Sequence, residues 1–261
     1  MLREITSIKC IYCQERKGDS REHIIPDALL ERLANSAWII QKGSCEFCQK
    51  IINVYETDVI RSLFKGIRPV VGIKKNKVEV FSIEENIIYS PDAYIATNVI
   101  FEMPQTLSNS PNYIGKIKVR EFYCNLFDPN SLLNGLINQG QLGENLLGEI
   151  NFSPANLMKM LAKIAYGFGV FQFGETFHNK SLLPKIILNK CDQELSKYIG
   201  SIIEDELEFI HNNSSLLNKF KTNYHSVEIR LHDNKIISII NLFHNHGFNT
   251  KDSYVVILAE T

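Results

Sequence analysis

Apolar residues recur along this chain with two different periods, and the change of period marks out its parts. Over 49–65, Ile51, Ile52, Tyr55, Val59, Ile60, Leu63 and Phe64 fall at helical spacing, and Gly66 follows where a C-terminal cap belongs. A helix is expected there. Downstream, 70–73 and 78–83 flank a Lys-Lys-Asn-Lys turn, and extended stretches at 94–103 and 114–126 predict an antiparallel sheet. Ser153-Pro154 opens a second helical pattern through Leu157, Met160, Leu161, Ile164, Ala165 and Phe168, with Ser153 as N-cap and Pro154 at the first helical position. Two or three shorter helices are expected up to His211. A second set of strands is predicted at 227–231 and 236–243, around His232-Asp233-Asn234, and at 254–258. No internal repeat or low-complexity tract interrupts this order.

Composition narrows the class. With 261 residues, 44% hydrophobic, 22% charged and only 14 Gly and 8 Pro, the chain can bury a sizeable core as one or two domains, which argues against disorder and fibrous repeats. Its 28 basic and 29 acidic residues nearly cancel to a formal charge of -1, so it does not coat nucleic acid as a polycation. Residues 1–80 hold 14 Lys/Arg against 10 Asp/Glu, leaving the excess of acid to the rest of the chain, so any contact with phosphate is expected at the N-terminal end. The opening residues do not read as a secretion signal, and apolar clusters such as 235–240 fall far short of the roughly 20 residues that cross a bilayer. A soluble, cytoplasmic protein without a membrane partner is the expectation, and six Cys at this length read first as metal ligands rather than as a disulfide scaffold.

Four of those six cysteines form Cys10-x2-Cys13 and Cys45-x2-Cys48, two knuckles whose thiolates suit a tetrahedral structural Zn²⁺. A redox role is the rival, but a catalytic Cys-x2-Cys acts singly in a βαβ setting, and two pairs fit zinc better. Burying one ion among four sulfurs also supplies folding energy that so short a segment otherwise lacks.

Between the knuckles stands Ser20-Arg21-Glu22-His23-Ile24-Ile25-Pro26. A first Cys-x2-Cys, an acidic residue followed by His, Ile and a nearby Pro, then a second Cys-x2-Cys opening a helix: in this order the sequence resembles the zinc-stabilised ββα-metal branch of the HNH endonuclease family. The resemblance covers roughly the first quarter of the chain. It implies an α+β fold built as an HNH-like domain over 1–68 with a four-cysteine zinc site, followed by a larger α+β accessory domain over 69–261 for recognition, regulation or oligomerisation.

The same resemblance implies metal-dependent hydrolysis of DNA phosphodiester bonds, leaving a 5′ phosphate and a 3′ hydroxyl, in a setting such as bacterial defence or restriction. RNA is an open alternative substrate. His23 is then the general base and Glu22 a ligand for a single Mg²⁺ or similar hard ion, since a neutral imidazole takes a proton from water while a carboxylate holds a hard cation. The family's second metal-binding position, usually His or Asn, falls on Gln49, with Asn53 one turn further along the helix and Glu56 on the adjoining face. Asn35 corresponds to the Asn that orients the catalytic His. Arg21, Lys42 and Lys50 are candidate phosphate contacts, with Arg16, Lys17, Arg61, Lys65 and Arg68 in the same basic set.

An alternative of another class stands beside this: a catalytically degenerate zinc-binding adaptor that binds nucleic acid or a protein partner, favoured by Gln49. His244-Asn245-His246-Gly247 has the look of a metal pair but no third ligand nearby, and a turn between strands is the better reading. Cys124 and Cys191 are expected at buried apolar positions. Residues 70–261 carry no motif tied to a reaction, and a homo-oligomer or protein partner through this part is the expectation.

Overall fold

The computed structural model describes residues 3–30, 38–62, 64, 82–83, 86–87, 96–97, 101–102, 115–119, 124–125, 149–190, 195–202, 204–222, 224–243 and 253–260, and over these the chain is α+β. Its N-terminal part comprises β1 (Arg3–Thr6), β2 (Ser20–His23), β3 (Trp38–Ser44) and α1 (Glu46–Ser62). β2 runs antiparallel to β3 and β1 parallel to it, in the order β1-β3-β2. The helix expected over 49–65 starts earlier, because Cys48 belongs to its first turn. Its buried stripe of Cys48, Ile52, Tyr55, Val59 and Ile60 keeps the predicted helical spacing. Leu63, Lys65 and Gly66 lie outside the described residues.

In the middle of the chain the described strands are short. β4 (Ser82–Ile83) pairs with β5 (Asn86–Ile87), β6 (Ala96–Thr97) with β9 (Cys124–Asn125), and β8 (Gly115–Val119) lies between β7 (Phe101–Glu102) and β10 (Glu149–Phe152). All these pairs are antiparallel, as the extended stretches at 94–103 and 114–126 predict. Residues 70–73 lie outside the described set.

α2 (Pro154–Phe173) begins as its sequence requires: the Ser153 hydroxyl accepts a hydrogen bond from the Asn156 amide at 3.3 Å, and Pro154 takes the first helical position. Every residue from Leu157 to Val170 is buried, Lys159 and Lys163 included, so α2 is a central helix rather than a surface one. It packs on α1, on α3 (Leu183–Ile187), and on the sheet that ends the chain. That sheet has the order β11-β15-β14-β13-β12, antiparallel throughout, from β11 (Ile199–Ile202), β12 (Ser215–Lys221), β13 (His225–His232), β14 (Lys235–Leu242) and β15 (Ser253–Glu260). α4 (Leu195–Tyr198) precedes β11, and α5 (Glu204–Asn212) joins β11 to β12.

The hairpin expected around His232-Asp233-Asn234 forms, with Asp233 and Asn234 at φ 47 and 59, the left-handed pair that a two-residue turn demands. Strands β11 and β12 carry no comparable signal and are found only in the structure. β12 is an edge strand whose exposed residues dilute the apolar alternation.

One buried cluster runs through both parts of the chain. Trp38 of β3 stands at its junction, with ring centroids 4.9 Å from Phe168, 4.6 Å from Phe171 and 4.8 Å from Phe220. One side chain thus joins the N-terminal sheet, α2 and β12, and aromatic pairs of this kind contribute about 0.5–1.5 kcal/mol each beyond the area they bury. The expected boundary at 68/69 falls outside the described residues. Among the described residues, no helix is long and apolar enough to cross a membrane.

Candidate functional site

The cysteines come together as their spacing predicts. Cys10 and Cys13 sit in a turn closed by the Gln14 amide donating to the Cys10 carbonyl at 2.9 Å, with Gln14 itself at φ 57. Cys45 and Cys48 bracket the start of α1, where the Gln49 amide donates to the Cys45 carbonyl at 3.0 Å. The four sulfurs lie within 4.8 Å of one another, and Cys13 and Cys45 Sγ are 3.9 Å apart. A tetrahedron of thiolates with Zn–S near 2.3 Å has edges of about 3.8 Å, so the cluster is positioned to hold a metal ion and suits structural zinc. Hydrogen bonding from Cys48 draws the Cys10 thiol down to about 5 against the opposing effect of burial, with backbone amides of the knuckles helping, while Cys48 is held up as the proton-bearing partner.

The strand between the knuckles is shaped by a bulge. Ser20 pairs with Ser44 but Glu22 with Ile40, so β3 carries extra residues opposite Arg21, and Lys42 at their centre takes φ 54. Close approach there requires glycine. A Cβ on Gly43 would stand 2.7 Å from the Glu22 Cβ, and one on Gly18 only 1.6 Å from the Lys42 carbonyl oxygen. The bulge turns Glu22 inward, 3% exposed, and leaves His23 half-buried.

β2 and α1 wall a cleft of about 280 Å³, lined by Arg21, Glu22, His23, Asp27, Gln49, Asn53, Glu56, Thr57 and Lys163 among others. The expected residues Glu22, His23, Gln49 and Asn53 are therefore brought to one place, and Arg21 stands exposed at its side. Burial, the largest influence, lowers the His23 pKa below 6.5; Asp27 and Glu22 oppose it, while Lys163 and Arg21 assist. The imidazole is neutral at neutral pH, as a general base must be.

Lys163 joins these residues from outside the N-terminal part. Its side chain, 2% exposed, reaches from α2 to place Nζ 2.7 Å from Glu22 Oε1 and 3.0 Å from Glu56 Oε1. The same ammonium donates to the His23 carbonyl and lies 3.5 Å from that of Ile24. Burial alone pushes Lys163 toward losing its proton, but Glu22 and Glu56 more than offset it, and its pKa lies above 10.5. Burial raises Glu56 against the pull of Lys163. The hydroxyls of Tyr12 and Tyr55 are buried beside these carboxylates, and their pKa values rise through burial first and the neighbouring charges second.

The Glu22 carboxylate expected to hold a divalent ion has the Lys163 amine 2.7 Å from Oε1, so a hard cation there would compete with the ammonium for that oxygen. A signal for this existed in the sequence: Lys159 and Lys163 interrupt an otherwise apolar helical run, and a lysine buried in such a helix needs a carboxylate partner.

The remaining candidates are scattered. Lys50 is exposed and pairs with Glu46 at 2.7 Å one turn back on α1, while Lys42 is exposed on the bulge. Arg16 lies 4.4 Å over the ring of Phe47. Lys17 and Arg61 are exposed, whereas Asn35, Lys65, Arg68, His244, His246 and Cys191 lie outside the described residues. Cys124 lies in β9, paired through its backbone with Thr97.

α2 also braces the cysteine site. Tyr166 Oη donates to the Ile11 carbonyl at 2.6 Å, and His178 Nδ1 lies 3.0 Å from the same oxygen. No family model matches this chain, and neither a curated protein nor a solved structure matches it.

Proposed function

We propose that the N-terminal part is an HNH-type module acting on nucleic-acid phosphodiester bonds, with DNA as substrate and His23 as general base. The observation that carries this reading is that a neutral, half-buried His23 lines one cleft with Glu22, Gln49 and Asn53 beside the four-cysteine site. In this reading zinc supplies only folding energy and holds α1 against the hairpin of β2 and β3. His23 accepts a proton from water, the resulting hydroxide attacks phosphorus, and the bond to the 3′ oxygen breaks with that oxygen taking a proton from solvent water, leaving a 5′ phosphate and a 3′ hydroxyl. Arg21, exposed at the cleft, is the cation suited to meet the phosphate, because the Lys163 ammonium is buried and ion-paired with Glu22 and Glu56.

Supercoiled plasmid incubated with zinc-loaded protein tests the reading, in divalent-free buffer and with added Mg²⁺, Mn²⁺ or Ni²⁺. Nicking lost in His23→Ala supports it. Nicking that persists in that variant at the wild-type rate removes His23 from the mechanism, and preferential cleavage of an RNA substrate reassigns the substrate.

A second reading has its own observation: the Glu22–Lys163 ion pair favours a module that keeps the zinc-organised fold for binding and does not cut. Nucleic acid retained without nicking under every metal condition decides for it. The C-terminal sheet is the expected seat of a partner or second copy, and Leu216 and Leu217 on its edge strand are exposed, as is Phe209 on α5.

A further inference from the structure

We infer that the Lys163 ammonium is the resident cation of an oxygen cradle formed by Glu22, Glu56 and the carbonyls of His23 and Ile24, and that this cradle admits a divalent ion only when the amine is removed. The inference deepens the reading of the cleft by assigning its cation, and it holds whether or not the module cuts.

The oxygen shell carries the first argument. The ammonium is ion-paired with Glu22 Oε1 at 2.7 Å and Glu56 Oε1 at 3.0 Å and donates to the His23 carbonyl, with the Ile24 carbonyl at 3.5 Å as the fourth oxygen. Four oxygens from two carboxylates and two carbonyls are also what a hard cation selects. The cradle is therefore built for a cation and already contains one, covalently tethered.

Displacement is the second point. A surface lysine swings into water when a metal arrives, but this one is 2% exposed and rises from a helix buried on every face between Leu157 and Val170. Gly167, one turn beyond Lys163, lies against Ile24, so the helix is packed directly on the strand end that supplies the two carbonyls, and moving the amine out would separate that contact.

The third point concerns Gln49. It occupies a position where the resembled family carries His or Asn, yet it lines the same cleft as Glu22. With a lysine serving as the cation, nothing at this position has to ligate a metal, which accounts for an amide side chain there.

Manganese binding to zinc-loaded protein, followed by electron paramagnetic resonance, tests this without any measure of cleavage. Wild type and Glu22→Gln are expected to show the same Mn²⁺ uptake, and Lys163→Met to gain one site with affinity about tenfold or more above wild type, together with a melting temperature that rises with Mn²⁺. A wild-type Mn²⁺ site lost in Glu22→Gln overturns the inference, as does a folded Lys163→Met that gains none. Should Lys163→Met not fold, the wild-type and Glu22→Gln comparison decides alone. Failure here leaves the nuclease reading standing, since that reading falls by the His23→Ala plasmid assay.

Discussion

The Tyr166 hydroxyl donates to the carbonyl of Ile11, the residue that follows Cys10 in the first knuckle, across 2.6 Å. One turn earlier on α2, Lys163 donates to the carbonyl of His23. A single helix face from the distal part of the chain therefore grips both the first cysteine knuckle and the strand that carries the candidate base.

Tyr166→Phe should lower stability by about 1 kcal/mol, the net value of a buried hydrogen bond whose acceptor keeps a second partner in His178. Adding His178→Ala should cost more than the two single changes together, because the Ile11 carbonyl is then left alone. Urea denaturation of the single and double variants measures the coupling.

Lys163→Met in divalent-free buffer should destabilise by about 3–5 kcal/mol, since two carboxylates lose their buried counter-charge. Combining it with Glu22→Gln and Glu56→Gln should recover most of the loss. A triple variant no more stable than Lys163→Met would show that the ammonium acts through packing and not through charge.

The pH response has two windows of opposite sense. His23 has a folded pKa below 6.5, so its contribution is complete above 6.5 and is lost as pH falls from there through the folded value. Lys163 has a folded pKa above 10.5, so its contribution is complete below 10.5 and is lost as pH rises through the folded value. Proton NMR titration of the His23 ring should give a midpoint below 6.5, moved further down in Asp27→Asn, because Asp27 favours the charged ring.

Chelation, or replacing Cys45 with Ser, should unfold the knuckles and loosen β2, β3 and α1, since the coordination of an ion by the four cysteines positioned for one would be folding energy. Hydrogen exchange should show protection lost over 9–23 and 38–62 on chelation and restored by zinc. Exchange unchanged by chelation would assign the cysteines no metal role.

Gly43→Ala should cost about 1–3 kcal/mol by overpacking, because its Cβ would meet Glu22 Cβ at 2.7 Å and the Ile40 carbonyl at 2.9 Å. The displaced strand should also shift the His23 ring resonances. Unaltered resonances would show that the bulge does not set the position of the site.

The sequence carries these features to different depths. Cys10, Cys13, Cys45 and Cys48 are readable because ligand spacing is local, as are the Ser153-Pro154 helix start and the Asp233-Asn234 turn, where a few adjacent residues dictate the backbone. The gathering of His23 with Gln49 and Asn53 is readable only through the resemblance, since the knuckles alone do not say which strand faces which helix turn. Lys163 is readable only as a lysine in an apolar helical run that needs a carboxylate partner: its partners Glu22 and Glu56 lie in a distant part of the chain, and no local pattern states which helix fills the space behind β2. β12 escapes for a different reason, because an edge strand exposing Leu216 and Leu217 mixes apolar and polar residues on its outer face.

The burial of α2 on all sides has a consequence for how this chain can change. A helix turns about 100° per residue, so one residue inserted or deleted upstream of Lys163 within α2 rotates it away from Glu22 and carries Tyr166 off Ile11 in the same stroke. Repacking of the terminal sheet beneath the helix is felt at the cleft for the same reason. The two ends of the polypeptide are thus geared together, and selection acting on either must answer to the other.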